Sequence, residues 1–381
     1  MAEKQLRIHN KSDKPDNIIM KENEILELCQ EIEDEMPKYL RGYFAYLKGN
    51  VLPLTRLAYL RDVRFFLNYL VHEVEMVEGQ TIKEIKIEEL DKIKAKDINQ
   101  FVDYLRRYKV ETEKEIIVYE NANRSLARKK SSISVFFKYL FRDELISKNI
   151  TDGLDPIRVP KPGEREIKAL QDDEVMIMLD AVTKGDVLTK KEHEFWEKTK
   201  YRDKAILLLF LTYGLRLSEL QQLNVTSFNF GRGEFKIYRK RGKESIMPLN
   251  KSISDAINEY IKKERISDDK VEEISKDALF LSLQNRRMTE RQIRELVKKY
   301  TSYGLKTSHK AGYSPHKLRA TAATSLIGRG NSIFDVQALL DHEQVTTTQL
   351  YAAHKMNTKR DLVKGMEWET ERREGKKDHD K

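Results

Sequence analysis

Cysteine is almost absent from this chain: Cys29 is the one thiol among 381 residues. A lone thiol excludes an internal disulfide framework and a cysteine-built metal site, and it fits an intracellular compartment. Long apolar runs are missing as well. The longest, Ala205 to Leu211, is far too short to cross a bilayer, and the opening Met1-Ala2-Glu3-Lys4 leads into no stretch apolar enough for a signal peptide. The expectation is a cytoplasmic protein that does not engage a membrane. Internal repeats and low-complexity tracts are missing too, which sets aside solenoid and fibrous architectures.

The length favours two domains, each able to bury its own core. Lysine and arginine exceed aspartate and glutamate by 71 to 62, a formal net charge of +9, and the sequence pI is about 9.1. A polyanionic partner fits this balance. With 35% of residues charged and both signs mixed, charge alone does not separate a nucleic-acid binder from other basic proteins.

Apolar residues recur at three- and four-residue spacing from about Lys21 to Lys148. The runs are Leu57, Leu60, Val63, Phe66, Leu67 and Leu70, then Ile98, Phe101, Val102 and Leu105, then Ile133, Phe136, Phe137 and Leu140. This spacing predicts a compact helical domain over 31–150, preceded by an extension over 1–30. Its polar faces carry Arg124, Arg128, Lys129 and Lys130, candidates to lie against phosphates. Between 151 and 166, Gly153, Pro156, Pro160, Pro162 and Gly163 stand among charged residues, the composition of a linker. Helical periodicity resumes at 167. Three strand-like runs interrupt it, Ser227 to Phe230, Glu234 to Arg239 and Glu244 to Leu249, separated by turns at Gly231-Arg232-Gly233 and Arg241-Gly242. A second domain over 167–365 is therefore mainly α with a small antiparallel β-sheet, and 366–381 form a charged tail.

Six residues of that second domain carry the candidate chemistry: Arg216, Lys240, His316, Arg319, His342 and Tyr351. Ala205 to Leu211 reads as a buried helix that Gly214 ends in a left-handed cap. Arg216 follows on the turn, either as a salt-bridged structural residue or as a cation held at a site, with Glu219 placed to pair with it. Lys240 lies in Arg239-Lys240-Arg241-Gly242-Lys243, four cations in five residues. Such a cluster is either a solvated turn or a place where an anion relieves the repulsion. Ser314 suits an N-cap and Pro315 the first helical position. His316 and Arg319 then fall three apart at a helix start, where free N–H groups attract anions. Ala338 to His342 ends another helix. Thr346-Thr347-Thr348-Gln349 offers a capping box for the next, whose second turn holds Tyr351. A tyrosine there is more often core than catalyst; its company makes it a candidate nucleophile.

Thr212 to Leu220, the Lys240 hairpin, His316-Lys317-Leu318-Arg319, Leu340-Asp341-His342 and Thr347 to Tyr351 together resemble the motifs of the tyrosine recombinases, the phage-integrase family. The likeness runs from Ile167 to Val363. It extends to Thr55–Leu70 and Asn123–Leu140, which are similar to that family's core-binding domain. Met36 to Leu40 and Arg239 to Lys243 resemble the Xer branch, closest to the XerS-type single recombinases. Asp341 stands where glycine is usual, Ala320 where histidine is common, and Arg241 where glycine is common. The implied fold is a helical, SAM-like core-binding domain followed by the mixed α+β catalytic domain.

The resemblance implies a site-specific DNA strand transferase that needs neither metal nor cofactor. Tyr351 would attack the scissile phosphate to give a 3′-phosphotyrosine and a free 5′-hydroxyl. Arg216 and Arg319 would hold the non-bridging oxygens, His316 accept the tyrosine proton, and His342 hydrogen-bond the phosphate. Lys240 would protonate the leaving oxygen, with Lys243 as the alternative. Arg241 and Lys243, with the basic residues of the first domain, would contact duplex DNA at a specific recombination site. Exchange between two duplexes implies a homotetramer and a Holliday junction. Chromosome dimer resolution is the expected role; phage or transposon integration and excision, a type IB topoisomerase, and a non-catalytic DNA-binding regulator are the alternatives.

Overall fold

Ile18, Cys29 and Ile32 are buried along one helix that begins at Asp16, so core formation starts well before residue 31. The computed structural model describes residues 14–73, 77, 81–160, 168–239 and 242–341, with the backbone alone at 268. The chain divides into two compact units between Pro160 and Lys161.

In the first unit, α1 (Asp16–Asp34), α2 (Arg41–Asn50), α3 (Pro53–His72), α4 (Ile87–Asp91), α5 (Ala95–Arg106) and α6 (Asn123–Arg142) enclose one apolar core. Leu60, Val63, Phe66 and Leu67 of α3 meet Phe101 of α5 and Phe136 and Phe137 of α6. Phe66 lies edge-on to Phe101 at 5.0 Å and to Phe137 at 5.8 Å, a favoured aromatic geometry. Three sequence expectations change. Residues 16–30 are not an extension outside the domain, because α1 spans them and Cys29 is fully buried in the core of the first unit. Residues 107–120 are not helical but form a hairpin of β1 (Arg107–Glu111) and β2 (Ile116–Glu120), with Tyr108 stacked on Tyr119 at 5.1 Å. Val110, Ile116, Ile117, Val118 and Tyr119 favour strands, while the turn lacks the usual glycine or asparagine. Thr112 closes it instead: its hydroxyl donates to Glu115 O at 2.8 Å and accepts the Glu115 N–H at 3.1 Å.

The third change concerns the linker. Asn99 binds both Gly153 O and the Asp155 N–H, and Asn123 binds Arg158 O at 2.9 Å. Residues 151–160 therefore lie against the first unit despite their glycine and proline content, because side chains satisfy their backbone groups. Residues 161–166 lie outside the described residues.

The second unit is built around α9 (Lys200–Tyr213), whose Ala205, Ile206, Leu207, Leu209 and Phe210 are fully buried. It is preceded by α7 (Asp172–Lys184) and α8 (Lys190–Trp196) and followed by α10 (Leu217–Gln221). Next comes an antiparallel sheet of β3 (Phe228–Asn229), β4 (Glu234–Tyr238) and β5 (Glu244–Pro248), in that order, with Phe235 opposite Met247. Then follow α11 (Lys251–Lys263), α12 (Glu290–Gly304), α13 (Pro315–Gly328) and α14 (Ile333–Leu340). The three strands coincide with the expected runs to within a residue or two, and the whole is mainly α with small antiparallel sheets. Among the described residues no helix is long and apolar enough to cross a membrane.

A buried carboxylate ties α3 to α6. Asp62 accepts from Arg128 Nη1 at 2.5 Å and Nη2 at 2.9 Å, from Lys129 Nζ at 3.3 Å and from Ser132 Oγ at 2.7 Å. Removing it leaves the buried Ser132 hydroxyl with its longer bond to Arg128 O at 3.3 Å and takes the carboxylate from half-exposed Arg128. Asp62→Ala is expected to lower the unfolding free energy by roughly 2 kcal/mol in urea denaturation, less than for a fully buried ion pair. An unchanged midpoint would show the network to be energetically idle.

Candidate active site

Gly214 ends α9 at φ +57, its N–H on Phe210 O. A Cβ at this position would lie 2.5 Å from Leu340 Cδ2, so the glycine serves both a left-handed turn and the close approach of α14. The chain then reverses through buried Leu215, and Arg216 becomes the residue that opens α10. Glu219, buried one turn on, accepts the Arg216 backbone N–H at 2.8 Å and Nη1 at 2.7 Å. Arg216 Nη2 donates to Asp341 O at 3.1 Å. Among the described residues these side-chain bonds use two of the five guanidinium N–H donors, and the side chain remains 34% exposed.

Pro315 starts α13 after Ser314, as its sequence implies, although the Ser314 hydroxyl makes no capping bond. His316 is exposed in the first turn. Arg319, three residues later, is only 3% exposed. Its Nη1 donates to Gly214 O at 2.6 Å and its Nη2 to Leu340 O. Arg216 and Arg319 are thus brought together at the end of α14, each holding a carbonyl of consecutive residues.

A third guanidinium completes the cluster. Arg239 Nη1 donates to Leu340 O at 3.1 Å, and Nη2 to Leu339 O at 2.9 Å. Its buried Nε–H has no partner among the described residues. Burial, reinforced by the nearby charge of Arg216, lowers the pKa of Arg239, while Glu219 and Asp341 oppose that shift. By residue type alone this arginine reads as one more charge of the hairpin. A signal was available in the strand alternation: Phe235 and Ile237 face the core, and the same period of two puts Arg239 there as well.

Asp341 caps α14 in the left-handed region at φ 51 and ψ 53, a conformation that costs an L-residue about 1 kcal/mol relative to glycine. Its carboxylate takes an ion pair from Lys243 Nζ at 3.2 Å. Burial pushes the Asp341 carboxyl up, but the Lys243 hydrogen bond and the charges of Arg239, Lys243 and Arg216 together hold it below the ordinary value. Lys243, considered above for the acid role, is therefore engaged with a carboxylate.

Of the remaining candidates, Arg124 is exposed, while Arg128 and Lys129 are bound to Asp62. Lys130 Nζ donates to the Leu154 and Asp155 carbonyls. Lys240, Arg241, His342 and Tyr351, with the Thr346–Gln349 capping box, lie outside the described residues. Among the described residues no cluster of three His, Cys, Asp or Glu side chains could hold a metal ion.

Because the folded Asp341 pKa is lowered, its ion pair contributes stability above the ordinary aspartate value and loses it as pH falls through the lowered one. A ¹³C titration of the Asp341 carboxyl is expected to give a midpoint below 3.8, and Lys243→Gln should move it upward. An identical midpoint in the variant would remove Lys243 as the partner that matters.

Comparison with known proteins follows the same lines. Residues 168–358 match the phage integrase family. A tyrosine recombinase XerC of Caldanaerobacter subterraneus subsp. tengcongensis is 32% identical over 320 residues, covering 81% of this chain and 80% of that protein. XerC of Syntrophus aciditrophicus is 29% identical over 327 residues, covering 85% and 94%. The crystal structure of the XerH site-specific recombinase bound to a palindromic difH substrate, a post-cleavage complex, shares the fold. Its TM-score is 0.56 and its identity 15%, over 93% of this chain and 90% of that one. The match across the second unit and the extended identity to XerC establish that this chain belongs to the phage integrase family, as an Xer-like tyrosine recombinase and an enzyme of DNA strand exchange.

Proposed function

We propose that the chain recombines duplex DNA at a specific site through a 3′-phosphotyrosine on Tyr351 and a Holliday junction, as a homotetramer, in chromosome dimer resolution. The observation that carries this reading is the convergence of Arg216 and Arg319 beside the end of α14. Planar guanidinium groups can grip two non-bridging phosphate oxygens at once, where charge grows in the transition state. A tyrosine of pKa about 10 is ionised roughly one part in a thousand at neutral pH, so a proton acceptor is needed, and exposed His316 at the start of α13 is suited to the task. Lys240 would supply the proton to the 5′-oxygen, and His342 a further hydrogen bond to phosphate. The phosphodiester energy is stored in the protein–DNA link, which dispenses with ATP and metal.

Arg124, Arg128, Lys129, Lys130, Arg241 and Lys243 are the proposed DNA contacts outside the reacting centre. The Xer likeness favours chromosome dimer resolution over integration of a mobile element, and the Met36–Leu40 and Arg239–Lys243 motifs favour a single-recombinase system. Such a role places the protein in the compartment that holds the chromosome, the bacterial cytoplasm.

A nicked duplex carrying the recombination site, on which the released end diffuses away, should trap a covalent adduct that Tyr351→Phe abolishes. Arg216→Lys and Arg319→Lys should bind the duplex but form adduct about 10²- to 10³-fold more slowly. An adduct that persists in the phenylalanine variant refutes the nucleophile. Relaxation of supercoils without site preference would favour the topoisomerase reading.

A further inference from the structure

The β1–β2 hairpin of the first unit is anchored at its base and open along its edges. Tyr108 packs on Phe65 at 5.4 Å and on Tyr104 at 5.5 Å, which holds the ribbon to α3 and α5. Beyond that base Ile116 is 60% exposed and Val118 45%. Among the described residues no third strand pairs with either edge. A two-stranded ribbon on its own is marginally stable, and a free edge lined by apolar residues is a template for another strand.

Two hydrogen bonds fix which backbone groups lie on the free edge of β2. The Thr112 N–H donates to Glu115 O at 2.9 Å, and the Asn121 N–H donates to Arg106 O at 3.1 Å. Bonded pairs alternate with unbonded ones in an antiparallel ladder. Ile117 and Tyr119 therefore bond to β1, while Ile116, Val118 and Glu120 turn their N–H and C=O groups outward. These three positions are symmetric about Val118. A second β2 laid antiparallel across a two-fold axis there sets valine against valine at the centre and Ile116 against Glu120 at both ends, with every outward group paired. On the other face of the ribbon the same register brings Tyr119 beside Ile117 of the second copy.

Charge selects both the edge and its occupant. The outward positions of β1 are Arg107, Lys109 and Glu111, so a two-fold axis on that edge opposes two Lys109 ammonium groups, an unfavourable pairing. Residues 116–119 of β2 include no charge and no proline, the usual protections of an edge. Over 107–120 the ribbon carries three cations and four carboxylates. That mixture accepts another ribbon of the same kind and gives no net attraction to a nucleic-acid backbone.

We infer that the free edge of β2 is a self-pairing surface on which a second copy of this chain docks, joining two hairpins into one four-stranded antiparallel sheet. Pairing along so short an edge buries less than the roughly 1,200 Å² of a stable complex, so it is transient in solution. It strengthens wherever another attachment holds two copies close together. The inference does not rest on the enzymatic reading.

Sedimentation equilibrium of the full chain without DNA tests it. Wild type should self-associate with a dissociation constant of about 10–100 µM, the range of a small interface. Val118→Pro removes an N–H that points away from β1 and so spares the hairpin, yet it should weaken association about tenfold or more. Val118→Lys and Val118→Glu should each weaken it about tenfold by opposing like charges, and an equimolar mixture of the two should return to within about threefold of wild type. Restoration on mixing excludes misfolding as the cause of the single losses. A wild type that stays monomeric to about 500 µM overturns the pairing, as do charge variants that associate like wild type or that mixing does not restore. Amides 116, 118 and 120 that gain hydrogen-exchange protection only on addition of DNA would assign the edge to that occupant and also overturn it.

Discussion

One backbone oxygen, that of Leu340, accepts from two guanidinium groups at once, Arg239 and Arg319. The last carbonyls of a helix have no partner within it and lie at the negative end of its dipole. Here Leu339, Leu340 and Asp341 supply those acceptors, and three arginines from three different elements use them. These acceptors are neutral, so these bonds orient the arginines without cancelling charge, although Arg216 also pairs with the Glu219 carboxylate at 2.7 Å. Among the described residues, Glu219 and Asp341 offset that charge. A pocket arranged in this way stays electropositive while remaining rigid, the condition under which preorganised charge stabilises a developing anion most effectively.

Much of this arrangement could be read from residue types alone. The apolar runs in α3, α5 and α6, the buried α9, the left-handed Gly214, the Pro315 helix start and the pairing of Glu219 with Arg216 all depend on local rules, and local rules are visible in a sequence. Arg239 was concealed because its charge suggested solvent, although its register in β4 pointed inward. The β1–β2 hairpin was concealed for a different reason: its turn is made by a threonine side chain, so the glycine and asparagine signals of turns are absent. Residues 151–160 carry linker composition, yet Asn99 and Asn123, distant in sequence, hold their backbone. In each case the deciding partner is remote in the chain or the usual marker residue is replaced.

The environment of Asp341 illustrates how one substitution alters the balance of a site. Where glycine would give a neutral turn, this chain places a carboxylate within reach of Lys243 and near two arginines. The local field is weaker than the arginine count implies, and Lys243 adds to the hold that Arg239 already has on the end of α14. Charge compensation and geometry are supplied by the same side chain.

The Asp62 network has a consequence for the energetics of binding. When a protein neutralises DNA phosphates, the gain comes largely from the cations the duplex releases, and that number counts only positive groups free to replace them. On α6, Arg128 and Lys129 share the Asp62 carboxylate. The formal charge of this helix therefore overstates the counterions it can displace, and the slope of affinity against ionic strength will be shallower than its lysines and arginines suggest.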